Sequence, residues 1–166
     1  LMMLESRIDA TERPEWMDRI RELKEGRDNN IDMEPGLLQP QYIIEGVSAR
    51  MGAHDLVATD VGQHQMWTML YYRFRSPRTL LTSGGLGAMG FGMGAAIGSC
   101  LAKGRRRTVL FTSDGSFHMN MNEVATAVSQ DIPLIVIVLN NNALGMVRQW
   151  QTLFFEGRYA GTTLDR

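Results

Sequence analysis

The sequence predicts an α/β domain built on a parallel sheet flanked by helices. Three observations carry this. Short apolar runs alternate with helix-like segments from residue 40 onward. Leu134–Leu139 is apolar without alternation, the pattern of a strand buried on both faces. Glycine- and asparagine-rich strings follow the strands, where open α/β sheets place their ligands.

The elements follow in order. Pro14 to Glu25 reads as an amphipathic helix. Pro14 suits a first turn, Trp16, Met17, Ile20 and Leu23 share one face, and Gly26 suits the stop. Residues 26–40 read as a linker, with Asn29-Asn30, Pro35-Gly36 and Pro40 as turn signals. Gln41 to Met51 is helical and Leu56 to Thr59 a strand. Gln65 to Tyr72 is helical again, and Thr79 to Thr82 is a short strand. A helix begins near Ala88 and runs to Lys103, Thr108 to Thr112 is a strand, and Asn120 to Gln130 is a helix. Strand Leu134–Leu139 and a helix from Leu144 to Phe155 complete the series.

Composition narrows the function. The chain has 166 residues, 17 Lys+Arg against 18 Asp+Glu, and a formal net charge of -1. That balance argues against a nucleic-acid binder. One cysteine, Cys100, excludes an internal disulfide framework and a multi-cysteine zinc site, and reads as an inert core thiol. The longest aliphatic run has six residues, against the roughly 20 of a membrane span. With no signal segment, the expectation is a cytoplasmic domain that binds neither nucleic acid nor membrane. Residues 1–34 hold 16 of the 35 charged groups, marking a surface segment ahead of the buried domain. The chain begins at Leu1 rather than methionine, as a piece of a longer protein would.

Two strand ends carry the chemistry. Thr112-Ser113-Asp114-Gly115-Ser116 follows one strand, and Asn140-Asn141-Asn142-Ala143 follows the next, Asn141 lying 27 residues after Asp114. If those strands are neighbours, a carboxylate and an amide oxygen share one sheet edge. A hard, all-oxygen set suits Mg²⁺, which keeps few protein ligands and completes its shell with phosphate oxygens and water. Gly115 and Ser116 open the following helix, whose N–H groups suit a phosphate. Asp-Gly and Asn-Asn are also ordinary turn formers, and either alone carries little weight. Gly85-Leu86-Gly87-Ala88-Met89-Gly90 matches G-x-G-x-x-G and keeps an NAD(P)-binding Rossmann module as an alternative, although Asp114 lies 29 residues on, long for that fingerprint. A non-catalytic interaction domain with a decayed site is a third reading. His64 is either a ligand neighbour or a surface polar residue. Met66, Met69, Met119 and Met121 read as flexible core filling, and Lys103 with Arg105 to Arg107 as a solvated turn.

Asp114-Gly115 followed by Asn140-Asn141 resembles the thiamine diphosphate signature of the pyruvate-oxidase and acetolactate-synthase superfamily. Val61 to Trp67 resembles a diphosphate-side loop of the acetolactate synthases, Gly84 to Gly90 their pyrimidine loop, and Asn140 to Gln151 their cofactor and channel segment. The resemblance implies a thiamine diphosphate-binding fold, incomplete at the C-terminus. Residues 1–39 would be a linker segment with the amphipathic helix, and 40–166 a partial cofactor domain. It implies Asp114, Asn141 and the Ala143 carbonyl as Mg²⁺ ligands. Gly62, Gln63, His64, Gly115, Ser116, Gly145 and Met146 would surround the diphosphate. In the pyrimidine loop Gly87, Ala88 and Met89, the Gly87 carbonyl and Met89 N–H would hold the aminopyrimidine, and the Met89 side chain would support the bent cofactor. Trp150 would line the substrate channel, against a competing reading as helix-face packing.

The implied reaction is decarboxylation of pyruvate and carboligation to a second 2-oxo acid, with another thiamine diphosphate-dependent 2-oxo acid decarboxylase or lyase as the alternative. FAD can accompany the full-length enzyme through a domain mostly outside this chain. The catalytic glutamate would come from a domain not contained here, so no residue of this chain is assigned that role. The remaining domains of a parent enzyme and a homo-oligomer are the implied partners. The sequence departs from the family at Gly92-Met93-Gly94, where Leu-Pro is usual, and at Ser113, where glycine is commoner.

Overall fold

The computed structural model describes residues 11–25 and 37–164. They divide into two units, one within residues 1–37 and one within 38–166. Gly26, Asn29-Asn30 and Pro35-Gly36 of the expected linker lie outside the described residues.

In the first unit, α1 spans Pro14–Glu25. Pro14 fits the first turn, where its missing N–H costs nothing. Glu15 and Lys24 sit at the ends that complement the helix dipole. Arg19–Glu22 and Arg21–Asp18 pair along its exposed surface. None of its residues is buried.

The second unit is a sheet between two helical layers. Its elements are α2 (Pro40–Arg50), β1 (Leu56–Thr59), α3 (Gln63–Tyr71), β2 (Leu80–Leu81), α4 (Phe91–Ala102), β3 (Thr108–Ser113), α5 (Asp114–Asn120), α6 (Glu123–Ser129), β4 (Leu134–Leu139) and α7 (Gly145–Phe154). All pairings are parallel, in the order β2-β1-β3-β4. The expected α/β class with a parallel sheet is what the chain adopts.

The period-2 rule divides the core. Val57, Val109 and Phe111 pack with Ile44, Met51 and Tyr72 beneath α2 and α3. Ala58 and Leu110 pack with Met93, Ala96, Ile97 and Ala127 beneath α4 and α6. β1 is buried throughout, and β3 is buried from Thr108 to Thr112. Cys100 is fully buried in α4, as an inert thiol should be.

Several expectations need correction. β4 is not buried on both faces: Ile135 and Val138 are 41% and 40% exposed. It is a sheet edge, and α7 buries none of its residues, so it does not cover the strand as a core helix would. The expected helix Asn120–Gln130 is two helices, α5 starting directly at the strand end and α6 following a break at Met121-Asn122. Asn120 and Asn122 are poor helix interiors, and the Asn120 side chain is engaged elsewhere. α4 starts at Phe91 rather than near Ala88, because Gly90 adopts φ 86, which no right-handed helix accommodates. Met66, Met69, Met119 and Met121 are exposed rather than core filling. Arg107 of the expected solvated turn pairs with Asp55, and Arg105 and Arg106 donate to the carbonyls of Asp131 and His54. Among the described residues no helix is long and apolar enough to cross a membrane.

Candidate functional site

The site forms at the carboxyl ends of β1, β3 and β4. β3 and β4 are neighbours in register, Ser113 facing Leu139. Asp114 and Asn140-Asn141 therefore leave the same sheet edge side by side. This strand-end edge is where a doubly wound sheet presents ligands.

Asp114 is the first residue of α5, and Ser113 caps that helix, its Oγ accepting from the Ser116 N–H at 3.4 Å. Serine in place of the commoner glycine thus adds a cap. Asp114 Oδ1 is buried with no hydrogen-bond partner. A buried carboxylate oxygen left unpaired is expensive, and a cation is the partner that would satisfy it. Asn141 Oδ1 accepts from the Ala143 N–H at 3.1 Å, folding the loop so that Asn142 takes φ 53. Returning chain then clamps this loop. Leu144 N–H donates to the Thr162 carbonyl and Leu164 N–H to the Asn142 carbonyl, with Ala143 and Thr163 bridged. Asp114 contributes the sole carboxylate of this set, and no group of three His, Cys, Asp or Glu suited to a metal occurs among the described residues. One carboxylate with amide and carbonyl oxygens is a donor set for Mg²⁺ shared with phosphate, not for zinc or copper.

A cavity of about 230 Å³ opens beside this edge. Of the expected cofactor residues, Gly62, Gln63, His64, Gly87 and Met89 line it from one side, and Asn141, Gly145 and Met146 from the other. Two glycines let the chain pack closely beside it. A Cβ on Gly145 would overlap Gln63 Oε1 and lie 2.7 Å from Asn141 Nδ2, while one on Gly115 would meet Leu144 at 2.9 Å. The orphaned Asp114 oxygen and this glycine cradle fit a Mg²⁺-bound diphosphate.

Other expected residues stand apart from the cavity wall. Ala88 is exposed, its N–H given to Ser83 Oγ. Ser116 is buried and its hydroxyl donates to the Val61 carbonyl at 2.9 Å, tying α5 to the loop after β1. Ala143 forms part of a neighbouring opening with Gln63 and Asn141. Trp150 is 59% exposed on α7, edge to face with Phe154. The competing reading of Trp150 as core packing on its helix face fails, since Trp150, with Leu153 and Phe154 beside it, is exposed and α7 buries nothing.

His64 is buried and Nε2 has no partner, which overturns its reading as a surface polar residue. Burial pushes its imidazole down to about 4, against the opposing pull of Asp60 and Asp114. The sign follows: below 6.5 the unfolded chain binds a proton that the folded chain refuses until about 4. Stability of the metal-free chain therefore falls as pH drops through that window. Urea titrations should show His64 costing about 2 kcal/mol at pH 5 relative to pH 7. His64→Gln should lose this share of the pH dependence, and an unchanged pH profile would contradict the assignment.

Sequence reading assigned no role to Val61, Trp67, Ser113, Leu139, Leu144 and Val147, which also line the cavity. Trp67 was detectable, standing one helical turn from Gln63 and His64. It also missed Asp60, buried at the end of β1. An acid closing an otherwise apolar strand was its signal.

The alternative dinucleotide reading of Gly85–Gly90 fails on topology. In that fingerprint the glycine-bearing strand and the acid-bearing strand are adjacent. Here β1 separates β2 from β3, so Asp114 is two strands from the glycine loop.

This parallel sheet flanked by helices, with a cavity and an unpartnered carboxylate oxygen at its strand-end edge, has the α/β fold of a thiamine diphosphate-binding domain. The chain belongs to the family "Thiamine pyrophosphate enzyme, C-terminal TPP binding domain", which matches residues 60–165. It is similar to the acetolactate synthase large subunit of Corynebacterium glutamicum, at 41% identity over 96% of this chain and 26% of that protein. Similar matches are acetolactate synthase isozyme 2 large subunit of Escherichia coli (39%, over 90% of this chain and 27% of that protein) and acetolactate synthase 1, chloroplastic, of Nicotiana tabacum (41%, 90% and 22%). The chain spans about a quarter of the length of these curated relatives.

Proposed function

We propose that this chain is the cofactor-anchoring domain of an acetolactate synthase-like enzyme. It would bind thiamine diphosphate with Mg²⁺ for decarboxylation of pyruvate and carboligation to a second 2-oxo acid. The observation that carries the reading is the buried, unpartnered Asp114 Oδ1 at the β3/β4 edge, in a chain of this family.

Asp114, Asn141 and the Ala143 carbonyl would hold the metal. Gly62, Gln63, His64, Gly115, Ser116, Gly145 and Met146 would surround the diphosphate, with backbone N–H groups and the metal meeting its charge. Gly87, Ala88 and Met89 would hold the aminopyrimidine, with the Met89 side chain beneath the bent cofactor and Trp150 toward the substrate. When bound, thiamine diphosphate supplies the carbanion and the electron sink of the reaction. The protein's share is to fix and bend it, to exclude water from an apolar cavity, and to keep His64 neutral beside the anion. In this reading residues 1–39 link the domain to others of the parent enzyme, one of which supplies the activating glutamate, and the enzyme works as a homo-oligomer.

Purified 1–166 with thiamine diphosphate and Mg²⁺ should release no carbon dioxide from pyruvate. The full-length enzyme should release it and form the carboligation product. Turnover by 1–166 alone would overturn the division of labour, and a full-length enzyme inert toward pyruvate would overturn the substrate.

A further inference from the structure

Asp60 and Gly90 are linked by an arrangement that the cofactor ligands do not explain. Asp60 closes β1 and is 2% exposed. Its Oδ1 accepts from the Val61 N–H at 2.8 Å and the Gly90 N–H at 2.9 Å, and its Oδ2 accepts from the Gly92 N–H at 3.0 Å. The carboxylate thus caps the amino end of α4 from another strand, which no side chain of α4's own cap residue does. The carbonyl of the same Gly90 accepts from Asn120 Nδ2 at 2.5 Å. Both backbone groups of one glycine at φ 86 are therefore held by side chains, one from the end of β1 and one from the end of α5. The space around that glycine is also closed, a Cβ there lying 3.3 Å from Met119 Cβ and 3.4 Å from Asn120 Nδ2.

Met89, immediately before this glycine, lines the cavity. The Gly90 N–H held by Asp60 belongs to the peptide plane shared with Met89, and the Gly90 carbonyl held by Asn120 to the next plane, so the two bonds together fix the backbone on which Met89 stands. The loop before it has little else to hold it: Leu86 is 97% exposed, and Gly84 to Ala88 are exposed throughout. We infer that Asp60 and Asn120 are positioning residues that grip Gly90 from both sides and so aim Met89 into the cofactor cavity. Asp60, through Val61, also registers the diphosphate loop against the pyrimidine loop. The inference rests on the proposed role of Met89 in supporting the cofactor.

Both residues can be tested by isosteric exchange, which keeps volume and reverses hydrogen bonding. Asn120→Asp sets an acceptor against the Gly90 carbonyl. Asp60→Asn keeps one acceptor oxygen and sets an NH₂ donor against either the Gly92 N–H or the Val61 and Gly90 N–H groups, all of which need an acceptor. In the full-length enzyme carrying this chain, binding of thiamine diphosphate and of inorganic diphosphate, each with Mg²⁺, is measured by calorimetry. The near-ultraviolet circular dichroism of the bound cofactor is recorded alongside.

Asn120→Asp should weaken thiamine diphosphate about 10-fold and alter its dichroism, leaving inorganic diphosphate within about 2-fold, the range expected when a supporting contact is lost. Asp60→Asn should weaken both. An Asn120→Asp protein that binds the cofactor as wild type does, or that loses inorganic diphosphate to the same degree, would overturn the inference, as would a folded Asp60→Asn protein with wild-type cofactor binding. If Asp60→Asn does not fold, Asn120→Asp decides alone. A wild-type enzyme that fails to bind thiamine diphosphate would instead overturn the proposed function, a separate and recognisable outcome.

Discussion

Asp114→Ala is expected to abolish Mg²⁺-dependent binding of thiamine diphosphate in the full-length enzyme. Asp114 is the sole carboxylate of the proposed donor set, and its Oδ1 is already buried and without a partner. The remaining candidate donors are neutral. Asn141 Oδ1 also serves the Ala143 N–H, so it cannot replace the lost charge. A Mg²⁺ site of one carboxylate, an amide and a carbonyl has no reserve, and the loss should exceed about 100-fold in cofactor affinity, more than second-shell substitutions usually cost. The fold should survive, because removing an unpaired buried carboxylate relieves a desolvation cost. Calorimetry gives the affinity and thermal unfolding the stability. An Asp114→Ala protein with wild-type affinity would place the metal elsewhere.

Gly92→Ala strikes the other half of the site through the fold. A Cβ there would lie 2.8 Å from Leu110 Cδ1, 2.9 Å from the Asp60 backbone nitrogen and 2.9 Å from Asp60 Oδ2. Two of those three atoms belong to the residue that caps α4, and the backbone nitrogen is fixed by its bond to the Phe111 carbonyl. Nothing nearby can yield cheaply, so α4 must shift away from the sheet. The expected cost is about 1–3 kcal/mol of stability, the range of overpacked cores. Weakened cofactor binding should accompany it, because the Gly90 grip is displaced. Denaturant titration of the variant reads the first effect and calorimetry the second. A variant as stable as wild type would mean the α4–β1 approach is looser than it stands here.

That close approach gives Gly92 a physical reason, whereas a Cβ on Gly94 would meet nothing within 4 Å.

The parts of the fold that were legible in the sequence are those set by local pattern. β1 and β4 have the bounds their apolar runs indicate, and α1 runs from its proline to Glu25 as its spacing requires. The shared sheet edge was legible for the same reason: Asp114 follows β3 and Asn140-Asn141 follow β4, and a right-handed crossover brings successive strand ends together. What was not legible depends on partners distant in sequence. The break between α5 and α6 goes with Asn120 turning to Gly90, 30 residues away. The late start of α4 depends on a positive φ held by Asp60 across a similar separation. The exposure of β4 and of α7 depends on strand order, which periodicity does not encode. His64 gave no local sign of burial, since a polar residue at a helix start is usually solvated.

Calorimetric titration of the full-length enzyme with thiamine diphosphate, with and without Mg²⁺ and with NAD as comparator, tests the central claim most directly. The account predicts binding of thiamine diphosphate that requires Mg²⁺ and is lost in Asp114→Ala, and no binding of NAD at this edge. Metal-independent binding, or binding that Asp114→Ala leaves intact, would contradict it.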